Sequence, residues 1–212
     1  MKQLTEDLWQ STKYSQGILN SHAYLLQRPG GNVLFYNTGN DDDLDQIAAL
    51  GGIRYQLLTH RDEAGPSLQR IKERFGSQLA CSALEVPTIG KSAAVDIQFQ
   101  PADSRLEDIE IIHTPGHTDG SLCFFYRSPY GKSYLFTGDT LFQWEGKWST
   151  IVIPDAGGSE VGLFQSLQTL RTLRPDMVMS SGFVGELSEI DVSADQWLKI
   201  IDKQLGYLTH SG

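Results

Sequence analysis

Three short turns carry the side chains best suited to chemistry. In His113-Thr114-Pro115-Gly116-His117-Thr118-Asp119-Gly120-Ser121, an apolar run of strand character (Ile109, Ile111, Ile112) breaks into a tight turn. That turn throws an imidazole off the end of the strand. Tyr134-Leu135-Phe136 runs into Thr137-Gly138-Asp139 and does the same with a carboxylate. A strand predicted over Tyr55 to Thr59 ends on His60-Arg61-Asp62-Glu63-Ala64-Gly65. Ligand-type side chains beside glycine at strand ends predict a site at a sheet edge, where loops on a rigid scaffold usually carry chemistry.

The rest of the chain must position these turns. Apolar runs at Ile18 to Gln27 and Asn32 to Asn37, joined by Arg28-Pro29-Gly30-Gly31, predict an antiparallel hairpin. Asp41 to Asp43 are expected to cap a helix through Leu50, stopped by Gly51-Gly52. A second helix carries Leu68, Ile71 and Phe75 on one face and stops at Gly76. Leu79 to Ser82 is a short strand, and the alternation of Val95, Ile97 and Phe99 predicts a half-exposed one. Leu122 to Arg127 and Ser133 to Phe136 form a hairpin around Ser128-Pro129-Tyr130-Gly131-Lys132. Phe142 to Gly158 then reads as a long connection, and its place after Asp139 makes Trp144 and Trp148 candidates for a pocket wall. Ser159 to Arg174 is a helix with Leu163, Leu167 and Leu170 along one stripe, and Met177 to Ser180 is a strand. The last helix opens with a capping box, Ser193 with Gln196, and buries Trp197, Ile201, Leu205 and Leu208.

Composition bounds the function classes. With 212 residues, 40% hydrophobic and 20% charged, the chain suits one well-buried globular domain. A net charge of -9, with 17 Lys and Arg in no basic run, argues against a nucleic-acid partner. Met1 to Gln10 carries Glu6 and Asp7 and lacks the apolar core of a secretory signal, and no apolar run approaches membrane-spanning length. Cys81 and Cys123 are far apart and read as small buried hydrophobes within strands, which requires no oxidising compartment. The expectation is a cytoplasmic protein acting on a small molecule, with neither nucleic acid nor membrane as partner; its oligomeric state is left open.

The His-Thr-Pro-Gly-His turn followed about twenty residues later by Thr-Gly-Asp resembles the metallo-β-lactamase superfamily. The resemblance runs from Leu8 to Leu208. It implies an α/β fold, the four-layer αββα sandwich of the metallo-β-lactamase type, as a single domain over 1–212 with the site at one sheet edge. It also implies that His117 and Asp139 are metal ligands. The superfamily turn His-x-His-x-Asp-His matches this chain only at His60; Asp62 takes the second His position, Ala64 the Asp position and Gly65 the last His position. Ser180-Ser181-Gly182 lacks the further His that superfamily members place there, and Asn37-Thr38-Gly39 stands in place of Asp-Thr-Gly, keeping hydrogen bonds without charge.

The resemblance therefore implies a depleted centre with at most one divalent ion, on His60, Asp62, His117 and Asp139. Two imidazoles and two carboxylates suit four-coordinate Zn²⁺, or Fe²⁺ or Mn²⁺ with water in open positions. Two carboxylates cancel the ion's formal charge and leave its water less acidic, so hydrolysis would be slow. With Ala64 in place of the usual Asp, Asp62 and Glu63 remain as candidate catalytic bases. Two His and a carboxylate also resemble the facial triad of iron oxygenases, but no thiol-recognition feature accompanies them. The expected activity is metal-dependent hydrolysis of a small ester, thioester or phosphoester. The alternative is a non-catalytic ligand-binding or scaffold protein whose decayed site holds no metal, His60 and His117 being hydrogen-bonded to Asp62 and Asp139. His22 and His210 are expected to be surface or packing residues, and His113 structural.

Overall fold

The computed structural model describes residues 1–209; His210 lies outside the described residues. The chain forms two compact units, 1–100 and 101–212.

The first unit contains, in chain order, β1 (Lys2–Gln3), β2 (Leu8–Gln10), β3 (Tyr14–Gln16), β4 (Leu19–Ser21), β5 (Tyr24–Leu26), β6 (Val33–Phe35), α1 (Asp41–Ala49), β7 (Tyr55–Leu57), α2 (Ser67–Phe75), β8 (Gln78–Ser82), α3 (Val86–Ile89) and β9 (Ile97–Phe99). Seven strands make one sheet in the order β1-β2-β5-β6-β7-β8-β9. Pairing is antiparallel as far as β6 and parallel from β6 to β9. The parallel strands β6 and β7 are buried at every position, as a sheet covered on both faces requires. Leu25 and Leu34 of this sheet share an apolar cluster with Leu44 and Ile47 of α1 and Ile71 of α2.

The cap of α1 differs from the expected one. Asn40, not the aspartates, accepts the Asp42 N–H at 3.0 Å. Asp43 is fully buried and instead accepts from the Thr12 N–H and hydroxyl, fastening the chain between β2 and β3 to the helix. Helix α2 ends as expected: Gly76 takes φ +62°, a left-handed conformation that costs glycine nothing, and its N–H reaches the Lys72 carbonyl at 2.8 Å. The alternation through Val95 becomes a strand only over Ile97–Phe99, because the Asp96 carboxylate turns away to accept the Leu79 N–H at 2.9 Å.

The second unit contains β10 (Arg105–Leu106), β11 (Ile109–His113), β12 (Leu122–Arg127), β13 (Ser133–Gly138), β14 (Phe142–Trp144), β15 (Lys147–Ser149), α4 (Glu160–Arg171), β16 (Met177–Ser180), β17 (Gly182–Val184), β18 (Glu189–Asp191) and α5 (Ala194–Thr209). Its main sheet runs β10-β11-β12-β13-β16-β18, with β16 parallel to β13 and the other neighbours antiparallel. Leu163, Leu167 and Leu170 of α4 join Trp197 and Ile201 of α5 against Cys123, Phe125, Leu135 and Val178 of the sheet. The Ser193–Gln196 capping box forms, with Ser193 N–H to Gln196 Oε1 at 2.8 Å and Gln196 N–H to Ser193 Oγ at 3.3 Å.

The stretch after Asp139 is more ordered than a connection. β14 and β15 form a hairpin over Glu145 and Gly146, both at positive φ, and β17 pairs parallel to β14. Trp148 is packed on the apolar core of this unit, whereas Trp144 is 41% exposed beside Phe142. Both cysteines sit buried in strands, Cys81 in β8 and Cys123 in β12. Among the described residues no helix is long and apolar enough to cross a membrane.

Candidate metal centre

In the first unit, β7 runs out through Leu58 and Thr59 to His60, which opens a single 3-10 turn, Arg61–Glu63. The Glu63 side chain folds back over the turn. Its Oε2 accepts the Thr59 N–H at 2.9 Å, and its Oε1 accepts the Thr59 hydroxyl proton. His60 Nδ1 lies 3.2 Å from the same Oε1 and 3.0 Å from Thr59 Oγ1. Because the one hydroxyl proton of Thr59 goes to the carboxylate, the proton in the imidazole contact belongs to His60 Nδ1. A neutral ring protonated there carries its lone pair on Nε2.

The turn is held from behind. Asn37 donates its amide to the Glu63 carbonyl at 3.0 Å and accepts the Ser67 hydroxyl at 2.8 Å, so the support expected of this position is present without charge. Arg61 reaches the buried carboxylate of Glu85 at 2.5 Å. Asp62 is exposed, and one of its carboxylate oxygens lies within 4.8 Å of a ring nitrogen of His60. Ala64 rests against the apolar cluster of Leu58, Leu68 and Leu79, which fills that position with packing and not with a ligand.

In the second unit, β11 ends at His113 and the following turn carries His117, which is 1% exposed. Its Nδ1 is 3.1 Å from the Ile151 carbonyl oxygen, which can only accept, so this ring too is protonated at Nδ1. Segment 151–159 clamps the turn through its backbone: Ile153 N–H to the His117 carbonyl at 2.9 Å, Ser159 N–H to the Gly116 carbonyl at 3.0 Å, and Asp119 N–H to the Ala156 carbonyl at 3.1 Å. Helix α4 closes it from the other side, with Ser166 Oγ donating to the Pro115 carbonyl at 2.7 Å. Glycine is required at Gly116, where φ is +155° and a Cβ would stand 2.5 Å from the Leu163 Cα.

Asp139 follows β13 directly. The register of β13 against β16 shifts between Phe136 and Gly138, which sets Gly138 opposite Ser180 and brings Ser181 and Gly182 alongside the carboxylate. Oδ1 accepts both the Ser181 hydroxyl at 2.9 Å and the Gly182 N–H at 3.0 Å. His113 is held apart from this arrangement, its Nε2 3.1 Å from the Asp103 carbonyl, and His22 is a packed residue with Nδ1 2.8 Å from the Ser11 carbonyl.

The donor chemistry fits a divalent ion. His60 and His117 each have the Nδ1 proton committed to an acceptor, and such outer partners are what orient metal-binding histidines. The thiols do not join this chemistry. Burial, reinforced by Glu85 and Glu63, pushes the Cys81 thiol up to about 12, and burial raises Cys123 to about 12 against the lowering effect of Thr114 and Thr140. Neither offers thiolate near neutral pH.

Three contributors escape a reading of residue types: Glu63 as the partner of His60, the Ile151 carbonyl, and the Ser181–Gly182 pair. The one available signal is Glu63 standing three residues after His60 at a predicted turn, a spacing that lets the side chain reach back.

A family model described as the metallo-beta-lactamase superfamily matches residues 42–182. Hydroxyacylglutathione hydrolase of Acidiphilium cryptum is 26% identical over 174 residues, covering 81% of this chain and 67% of that protein. The hydroxyacylglutathione hydrolase of Pelagibacter ubique is 33% identical over 95 residues, 42% of this chain and 37% of that protein. The chain thus spans between about a third and two thirds of the length of these relatives. Among solved structures, a HARLDQ-motif mutant of a metallo-β-lactamase from Cronobacter sakazakii superposes with a TM-score of 0.69 at 15% identity, over 99% of this chain and 95% of that one. A protein crystallised in a di-iron-bound form gives 0.69 at 20% identity, over 93% and 100%. At these identities the likeness is one of fold, and the fold is the expected α/β architecture of the metallo-β-lactamase type.

Proposed function

From the premise that this chain belongs to the metallo-β-lactamase superfamily, we propose that it is a hydrolase of small thioesters, using one divalent metal ion held by His60, Asp62, His117 and Asp139. The family match crosses from the first compact unit into the second, which supports reading residues 1–212 as one metallo-β-lactamase-like domain. The names of the relatives favour a thioester over the other two classes, a simple ester or a phosphoester. The ion is zinc, or iron or manganese, all of which accept such a mixed set of nitrogen and oxygen ligands.

The observation that carries this reading is the state of the two imidazoles. Both have Nδ1 committed, His60 to Glu63 and Thr59, His117 to Ile151. These partners account for the Nδ1 protons without recourse to Asp62 or Asp139, and leave each ring with its lone pair on Nε2 as a metal ligand needs it. A divalent ion, when bound, would supply Lewis-acid polarisation of the acyl carbonyl and an acidified water. Asp62, exposed on the His60 turn, would use the carboxylate oxygen not given to the ion as the base toward the attacking water. Glu63, already engaged with Thr59, works through His60, holding its tautomer and the direction of its ring. Asp139 accepts two hydrogen bonds on one carboxylate oxygen, and these hold its direction.

The partner is a small molecule and not nucleic acid or a membrane, in keeping with the charge of -9. Two buried thiols in strands are in keeping with a cytoplasmic location.

Elemental analysis of protein purified without added metal, paired with hydrolysis of an acylglutathione before and after EDTA, tests the reading. One ion per chain and chelator-sensitive turnover support it. A metal-free protein without turnover returns the chain to the alternative, a ligand-binding or scaffold protein on the same fold.

A further inference from the structure

The contacts of Asp139 lead beyond a list of ligands. A carboxylate oxygen has about two lone-pair directions. Both of those on Oδ1 are taken, one by the Ser181 hydroxyl at 2.9 Å and the other by the Gly182 N–H at 3.0 Å. The approach is close enough that a Cβ at Gly182 would lie 3.0 Å from Oδ1 and 3.4 Å from Oδ2. Ser181 is itself 5% exposed, and its N–H is bonded to the Gly138 carbonyl at 3.3 Å, so the hydroxyl is presented from fixed backbone. These groups lie where β13 and β16 end side by side and the chain passes through Ser181 into β17.

We infer that Ser181, with the Gly182 amide, is the positioning residue that turns Asp139 into a ligand through Oδ2. The inference rests on the metal reading above. With Oδ1 saturated by two donors, Asp139 binds through Oδ2. The hydroxyl also fixes the carboxylate's rotation, so the ion meets it without an ordering cost.

The test is Zn²⁺ binding to the full chain, measured for affinity and stoichiometry by competition with a chromophoric chelator. Wild type should hold one ion. Ser181→Ala should bind about 10- to 100-fold more weakly, the usual cost of removing a partner of a metal ligand. Ser181→Thr, which keeps the hydroxyl, should stay close to wild type, while Ser181→Val, isosteric with the threonine variant, should fall with the alanine variant. The Thr and Val pair remains decisive where the alanine variant folds poorly, because the two differ only in hydroxyl against methyl. Adding Ser181→Ala to Asp139→Ala should weaken binding no further than Asp139→Ala alone. Wild-type affinity in Ser181→Ala and Ser181→Val, alongside lost affinity in Asp139→Ala, would overturn the inference and leave the metal reading standing. Unchanged binding in Asp139→Ala would remove the ligand assignment, and the inference with it.

Discussion

Gly158 stands where any Cβ would fall 2.3 Å from the carbonyl oxygen of His117. The same atom would lie 2.5 Å from the Gly116 carbonyl. A residue remote in sequence therefore decides how closely segment 151–159 can clamp the turn that carries the imidazole.

Gly158→Ala is expected to destabilise the fold by about 3 kcal/mol, at the upper end of overpacking costs because the obstacles are backbone atoms. It should also displace His117 and weaken metal binding. Thermal unfolding and chelator competition measure the two effects, and an alanine variant that melts like the wild type would contradict the steric account.

Metal removal should be visible in stability. An ion at a hundredfold excess over its dissociation constant adds about 2.7 kcal/mol to the folded state, or roughly 5–10 °C in melting temperature for a chain of this size. EDTA should erase that increment in the wild type and do nothing to His117→Ala or Asp139→Ala, which lack it from the start. An EDTA-insensitive wild type would count against a bound metal.

Glu63→Gln keeps the shape of the side chain but removes the charge that faces His60 Nδ1. The expected result is a roughly 10- to 100-fold loss of metal affinity, with a metal-free fold weakened by about 1 kcal/mol because the amide nitrogen must face a donor on Thr59 or His60. Equal affinity in the Gln variant would reduce Glu63 to a brace for the Thr59 backbone.

The thiols predict an alkaline limit. Both Cys81 and Cys123 are raised in the fold from 9.0 to about 12. Below pH 9.0 the thiol is protonated in folded and unfolded chain alike, so there is no effect. Between about 9 and 12 the unfolded chain releases a proton that the folded chain retains, and stability falls by about 1.4 kcal/mol per pH unit for each thiol. Urea unfolding at about pH 8 and about pH 10 should show this loss, and Cys81→Ala with Cys123→Ala should flatten it. A slope unchanged in the double variant would assign the alkaline loss to other groups.

What can be read from the chain alone follows from how local each signal is. β12, α2 with its Gly76 stop, and the Ser193–Gln196 box are encoded by neighbours in sequence, and each forms where its residues place it. The hairpin of β3 and β4 merges in sequence with a longer apolar run, because Ser15, Asn20 and their neighbours show no alternation. At the candidate centre, residue types mark His60, His117 and Asp139, whereas their partners carry no such mark. Ile151 acts through a carbonyl that every residue owns, and Ser181 meets Asp139 only through the β13–β16 register shift. Glu63 is marked as a candidate base, but its contact with His60 is not, since that depends on a 3-10 turn that composition does not specify.

The clamp on the His117 turn has a consequence for the order in which the protein is made. Pro115 is joined to Ser166 across 51 residues, and His117 to Ile151 across 34. Closing loops of that length is entropically costly, and contacts of such sequence separation form slowly. A nascent chain that has just emitted β11 and β12 holds the histidine but not its geometry. Only when α4 has left the ribosome and docked does the imidazole acquire a fixed direction. On the proposed metal reading, an ion offered to the growing chain before then would find an unfixed loop, and loading would belong to the end of folding.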